Sequence, residues 1–77
     1  MKVLLFARAR DLIGADAVEV EGVATVGHLR RALMQRYPGL AGLLEKSAFA
    51  VADEFACDEV ALAPESEVAL LPPVSGG

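Results

Sequence analysis

Glu67-Val-Ala-Leu-Leu-Pro-Pro-Val-Ser-Gly-Gly77 decides how the rest of the chain is read. Its first half is a strand: Val68 to Leu71 are apolar at both alternations, so the run needs cover on both faces. Its second half cannot continue that strand. Pro72 and Pro73 hold the backbone extended and forbid helix or hairpin, and Gly76 and Gly77 carry no side chain at all. Six residues at ~3.3–3.6 Å each reach ~20 Å when extended. Gly has more conformational freedom to lose than any other residue, so this ending is poorly suited to packing on its own domain. It is well suited to entering a narrow channel in another molecule. Residues 1–71 are therefore predicted to form one folded domain and 72–77 an extended, flexible tail.

Working back from the tail, Val3-Leu-Leu-Phe6 is a second strand apolar on both faces, whereas Val18-Glu-Val-Glu21 alternates as a half-buried strand does. Ala7 to Asp16 reads as a wide turn containing a helical fragment. Thr25 is a helix N-cap, and Val26, Leu29, Leu33 and Tyr37 form one apolar stripe that Pro38-Gly39 ends. His28 stands where a capping box would place Glu or Gln. Leu40 to Ser47 reads as a short helical turn with Leu43 and Leu44 inward. Phe49-Ala-Val51 is a third strand, Asp53-Glu54 a turn, Val60-Ala-Leu62 a brief apolar patch, and Pro64-Glu65-Ser66 a turn before the final strand.

Strand, strand, helix, strand, strand is the order of an α+β roll of the β-grasp (ubiquitin-like) kind, a mixed sheet curved around one main helix. One helix covers one sheet face. The other face, where alternation places Leu4, Phe6, Ala69 and Leu71, then needs a protein partner. Phe6, Phe55 and Leu71 are the large apolar residues expected in that patch.

Composition narrows the functions. Seventy-seven residues with 55% hydrophobic content make a single folded domain. A net charge of −4 disfavours nucleic acid, and Arg8/Arg10 and Arg30/Arg31/Arg36 lack interleaved aromatics. No apolar stretch is long enough to span a membrane and no secretory leader is legible, so a cytoplasmic protein is expected. One cysteine, Cys57, and one histidine, His28, exclude an internal disulfide and argue against a bound metal. Cys57 lacks a basic neighbour to activate it; His28 and Lys46 read as solvated polar groups. No phosphate-cradling G-x-x-x-x-G-K-[ST] occurs, so the chain is expected to bind no nucleotide itself.

Across essentially all 77 residues the chain resembles the small subunits of molybdopterin synthase. The resemblance rests on the opening MKVLLFARARDLIG, the helix ending RYPGL, the AVADEF turn and, most specifically, the closing EVALLPPVSGG. Departures fall at Ala52, where that family often has Asn, and at Glu65-Ser66, where it often has Gly-Asp.

The resemblance implies a sulfur carrier whose working atom is the carboxyl carbon of Gly77. An E1-like adenylating partner that supplies the ATP makes an acyl-adenylate. A sulfurtransferase then provides the sulfur of a thiocarboxylate, which is donated to cyclic pyranopterin monophosphate to build the molybdopterin dithiolene of molybdenum cofactor biosynthesis. The implied enzyme is a heterotetramer of two large and two small subunits, in which this chain is the sulfur-donating subunit and not catalytic alone. Gly76 provides clearance beside Gly77. Pro72, Pro73, Val74 and Ser75 guide the arm, and Phe6, Phe55 and Leu71 pack on the large subunit. Other classes consistent with a Gly-Gly end are a carrier for thiamine or tRNA thiolation and a ubiquitin-like protein modifier.

Overall fold

The structure is a computed structural model that describes residues 1–73. The readings made for Val74, Ser75, Gly76 and Gly77 lie outside the described residues. Five strands form one mixed sheet in the order β2-β1-β5-β3-β4. They are β1 (Lys2–Leu5), β2 (Ala17–Glu19), β3 (Ala48–Val51), β4 (Glu54–Ala56) and β5 (Val68–Leu71). The chain's last strand lies at the centre, parallel to β1 and antiparallel to β3. This is the β-grasp arrangement expected from the order of elements.

Three α-helices accompany the sheet: α1 (Ala7–Ile13), α2 (Val26–Arg36) and α3 (Ala41–Lys46), the last preceded by a 3-10 turn at Pro38–Leu40. Helix α2 is the main one. The Thr25 hydroxyl accepts the His28 N–H at 3.1 Å, and the His28 ring Nδ1 accepts the Ala24 N–H at 3.3 Å. His28 thus closes the helix start in the manner of a capping-box Glu, displaced by one residue along the incoming chain. Val26, Leu29 and Leu33 are fully buried against Val3, Leu5, Phe49, Val68 and Leu70, so the stripe read from the sequence meets the inner sheet face. Tyr37 falls on the helix C-cap and packs at the core's edge.

Arg30 ties the second half of the chain to this helix. Its guanidinium donates to the carbonyls of Leu44 (2.6 Å) and Ser47 (2.7 Å) at the end of α3. It also pairs with Asp58 at 3.0 Å and lies 5.0 Å over the Phe49 ring. Such charge-assisted bonds satisfy carbonyls that a helix end leaves free. One turn earlier on the same side of α2, Gly27 lets the 57–60 loop approach closely: its N–H donates to Asp58 O at 2.9 Å, and a Cβ there would meet the Asp58 Cβ at 3.1 Å.

One local expectation is borne out more fully than read, and two are corrected. The Ala7–Asp16 segment holds a seven-residue helix ended by Gly14, whose φ of +82° suits a residue without Cβ. The turn after β3 is Ala52-Asp53, not Asp53-Glu54, and Glu54–Ala56 returns as an edge strand paired with β3. The strand β1 ends at Leu5, with Phe6 as the residue before α1. The Val60–Leu62 patch joins α2 through Val60 O and an isolated bridge from Ala61 to Thr25.

Candidate functional site: the outer sheet face and the base of the tail

Alternation along the strands sorts the sheet into two faces. Val3, Leu5, Val68, Leu70 and Phe49 point to α2 and are buried. Leu4, Ala69, Ala50 and Phe55 point the other way. The register sets these four side by side across the sheet, because Leu4 pairs with Ala69, Ala69 with Ala50, and Ala50 with Phe55. Toward the tail, the next row holds Leu71 opposite Ala48, with Phe6 continuing the alternation of β1 on extended backbone (φ −129°, ψ 157°). Toward the other end, a charged row begins with Lys2 paired to Glu19, and Glu67 precedes β5 on the same face.

Helices cover none of the large apolar residues in these rows completely. Leu4 is 39% exposed, Phe6 43% and Phe55 78%, while Leu71 and Pro72 are half-buried. Exposed aromatics on an apolar sheet face are uncommon in a small domain and mark contact surface. Phe6 therefore lies outside the core. It neighbours the Leu71 end of β5, whereas Phe55 stands across the sheet on edge strand β4. The three residues chosen from the sequence share one face, but they flank it instead of clustering. Between them lie the small side chains of Ala48, Ala50 and Ala69, and Leu4 joins the face as a fourth large residue. The β1 alternation already pointed Leu4 outward. Ala50 carried no signal, because its place beside Phe55 depends on the hairpin that β4 makes.

Beyond the charged row, Lys2, Leu4, Glu19, Glu65, Ser66 and Glu67 are among the residues lining an open cleft of about 540 Å³. The Met1 ammonium on its border engages Glu21 at 3.0 Å and Glu19 at 3.5 Å. The Glu21 hydrogen bond, outweighing desolvation, holds its pKa above the ordinary value. Glu65 and Glu67 join no ion pair among the described residues.

Pro72, half-buried, and Pro73, exposed, follow directly on the Leu71 end of β5. Cys57 is exposed, and His28 sits on α2, whose inner side packs against the opposite sheet face. Among the described residues no group of three or more His, Cys, Asp or Glu could hold a metal ion. No described helix is long and apolar enough to cross a membrane. The chemistry available to the described residues is thus that of a docking surface with an arm at its border.

Comparison with known proteins agrees with this geometry. The family model described as "ThiS family" matches residues 3–77. The molybdopterin synthase sulfur carrier subunit of Haemophilus influenzae is 39% identical over 80 residues, covering all of this chain and 99% of that protein. Its Dictyostelium discoideum counterpart is 35% identical over 81 residues, covering 99% and 94%. Among solved structures, small archaeal modifier protein 1 of Haloferax volcanii superposes with a TM-score of 0.75 at 31% identity, over 95% of each chain. A chain in the complex of subunits 1 and 2 of the molybdopterin-converting factor from Helicobacter pylori superposes with a TM-score of 0.67 at 27% identity, over 99% of this chain and 96% of that one. These full-length matches agree with the β-grasp arrangement of the sheet, and the chain belongs to the ThiS family, among the molybdopterin synthase sulfur carrier subunits.

Proposed function

We propose that this protein is the sulfur-carrying small subunit of a molybdopterin synthase. The observation that carries the reading is the placement of β5. It is a central strand that contributes Ala69 and Leu71 to an uncovered apolar face and leads directly into Pro72 and Pro73. A partner seated on that face receives the tail at a fixed position. Full-length similarity to sulfur carrier subunits supports the same reading.

In this function the Gly77 carboxylate attacks the α-phosphate of ATP bound by an E1-like enzyme, releasing pyrophosphate and leaving an acyl-adenylate. A sulfide equivalent from a sulfurtransferase displaces AMP and leaves a thiocarboxylate. The thiocarboxylate sulfur is a soft nucleophile on a slim arm. The large subunit positions it against cyclic pyranopterin monophosphate and supplies acid–base help. Two charged carriers in turn provide the two dithiolene sulfurs, as fits an assembly of two large and two small subunits. Gly76 gives the arm clearance, Pro72, Pro73, Val74 and Ser75 guide it, and Phe6, Phe55 and Leu71 hold the domain in place. The chain itself binds neither metal nor nucleotide and transfers sulfur only within the complex.

The intact mass of the protein isolated from its own cells tests this reading. The expected result is a fraction with one C-terminal oxygen exchanged for sulfur, and that fraction falls when the large subunit and its substrate are added. A chain that never carries sulfur, found instead as a Gly-Gly remnant on lysines of other proteins, would transfer the reading to that of a protein modifier.

A further inference from the structure

The outer face has relief and polarity as well as apolar character. Along its middle row Leu4 and Phe55 stand on the first and last of four adjacent strands, with only Ala69 and Ala50 between them. At about 4.8 Å per strand the two large side chains rise about 14 Å apart. They are the walls of a shallow hollow with an alanine floor, which Ala48 extends toward the tail. A flat partner surface would leave this floor unfilled, and voids at an interface forfeit contact energy.

One end of the hollow is acidic. Glu67 precedes Ala69 by one step of the outward alternation, and Glu65 lines the adjoining cleft together with Leu4 and Lys2. Glu19 is already engaged by the Met1 ammonium, whereas Glu65 and Glu67 have no cation partner among the described residues. A second copy of the chain, itself at net charge −4, would bring further negative charge and is a poor occupant.

We propose that the occupant of this face is a convex ridge of bulky apolar side chains with Lys or Arg along one border. Ala50 and Ala69 receive the ridge, and Glu65 and Glu67 face its cations. The proposal rests on the reading above and assigns the ridge to the large synthase subunit. Its consequence is orientational: apolar contact alone allows the domain to rotate on its partner, and an acidic border opposite the tail fixes which way the arm points.

The test measures binding kinetics of the full chain to the large subunit of the same organism, with melting curves of each variant. Ala50→Phe and Ala69→Phe fill the hollow from the outer face without entering the core. Each is expected to raise Kd by about 30-fold or more, the scale of a hot-spot loss. The double variant Glu65→Lys with Glu67→Lys is expected to lower the association rate about tenfold at low salt, with the difference vanishing near 0.5 M, where charges are screened within roughly 5 Å. Should one alanine variant fail to fold, the other and the charge pair carry the test. Wild-type binding with Kd unchanged by filling the hollow, or with an association rate indifferent to the charge reversal, would overturn this inference while leaving the functional reading intact. Absence of wild-type binding would overturn both. A chain that dimerises alone through this face, and loses the dimer in Ala50→Phe, would make it a self-interface and overturn the inference.

Discussion

Phe6 illustrates how one residue's role follows from backbone geometry. Extended φ and ψ carry the alternation of β1 one step past the last ladder pair, and Ala7 then turns the chain at a φ of +51°. The ring is thereby left half in solvent beside Leu71. Removing it should cost the fold little, since it is 43% exposed and stands outside the buried core cluster, yet should cost association much. For Phe6→Ala, a denaturation curve is expected to shift by less than about 1 kcal/mol, while affinity for the large subunit falls by about 2 kcal/mol or more. Equal losses would place the ring in the core. This position was legible because strand alternation needs only one fixed neighbour, and fully buried Val3 and Leu5 provide it.

Elements were legible where their signals were local. Helix α2 starts at the Thr25 cap and runs its apolar stripe to the Tyr37 cap, as hydrophobic spacing dictated. Strand β4 was not legible. Its hairpin turns on Ala52 (φ +51°) and Asp53 (φ +68°), the pattern of a type I′ turn without the Asn-Gly pair that usually announces one. Glu54-Phe55-Ala56 offers a single strong strand former. Helix α1 was underread for a similar reason: Phe6 provides no side-chain cap, so nothing marks its start. The turn also stores strain, because a non-glycine residue at positive φ costs of order 1 kcal/mol. Replacing Ala52-Asp53 with Asn-Gly should stabilise the domain by about 1 kcal/mol, a rise in melting temperature of roughly 4–8 °C. Because the turn residues lie beyond the hollow, binding to the large subunit should be unchanged. A lowered melting temperature would mean that the two side chains hold the hairpin in some other way.

At the scale of the whole molecule, labour is divided between the sheet's two faces. The inner face and α2 make the fold, with Phe49, Leu29, Leu33, Leu44 and Leu70 fully buried. The outer face is left exposed for the contact proposed above, and β5, belonging to both faces, links the core to Pro72 and Pro73. That β5 would lie centrally and parallel to β1 follows from the order of elements and the right-handed crossover rule, together with its apolar character on both sides. The width of the hollow was hidden, because it needed the register of four strands at once. On the proposed function, stability and sulfur transfer are expected to be separable properties of this chain, with Gly77 the residue at which they part. The most direct measurement follows sulfur transfer from charged chain to cyclic pyranopterin monophosphate on the large subunit, comparing the full chain with one lacking Gly77 and one extended by a residue after it. The account predicts that transfer is lost in both while all three melt at the same temperature. Transfer surviving the loss of Gly77, or melting that collapses with it, would contradict the claim that the reaction belongs to the arm and the fold to the domain.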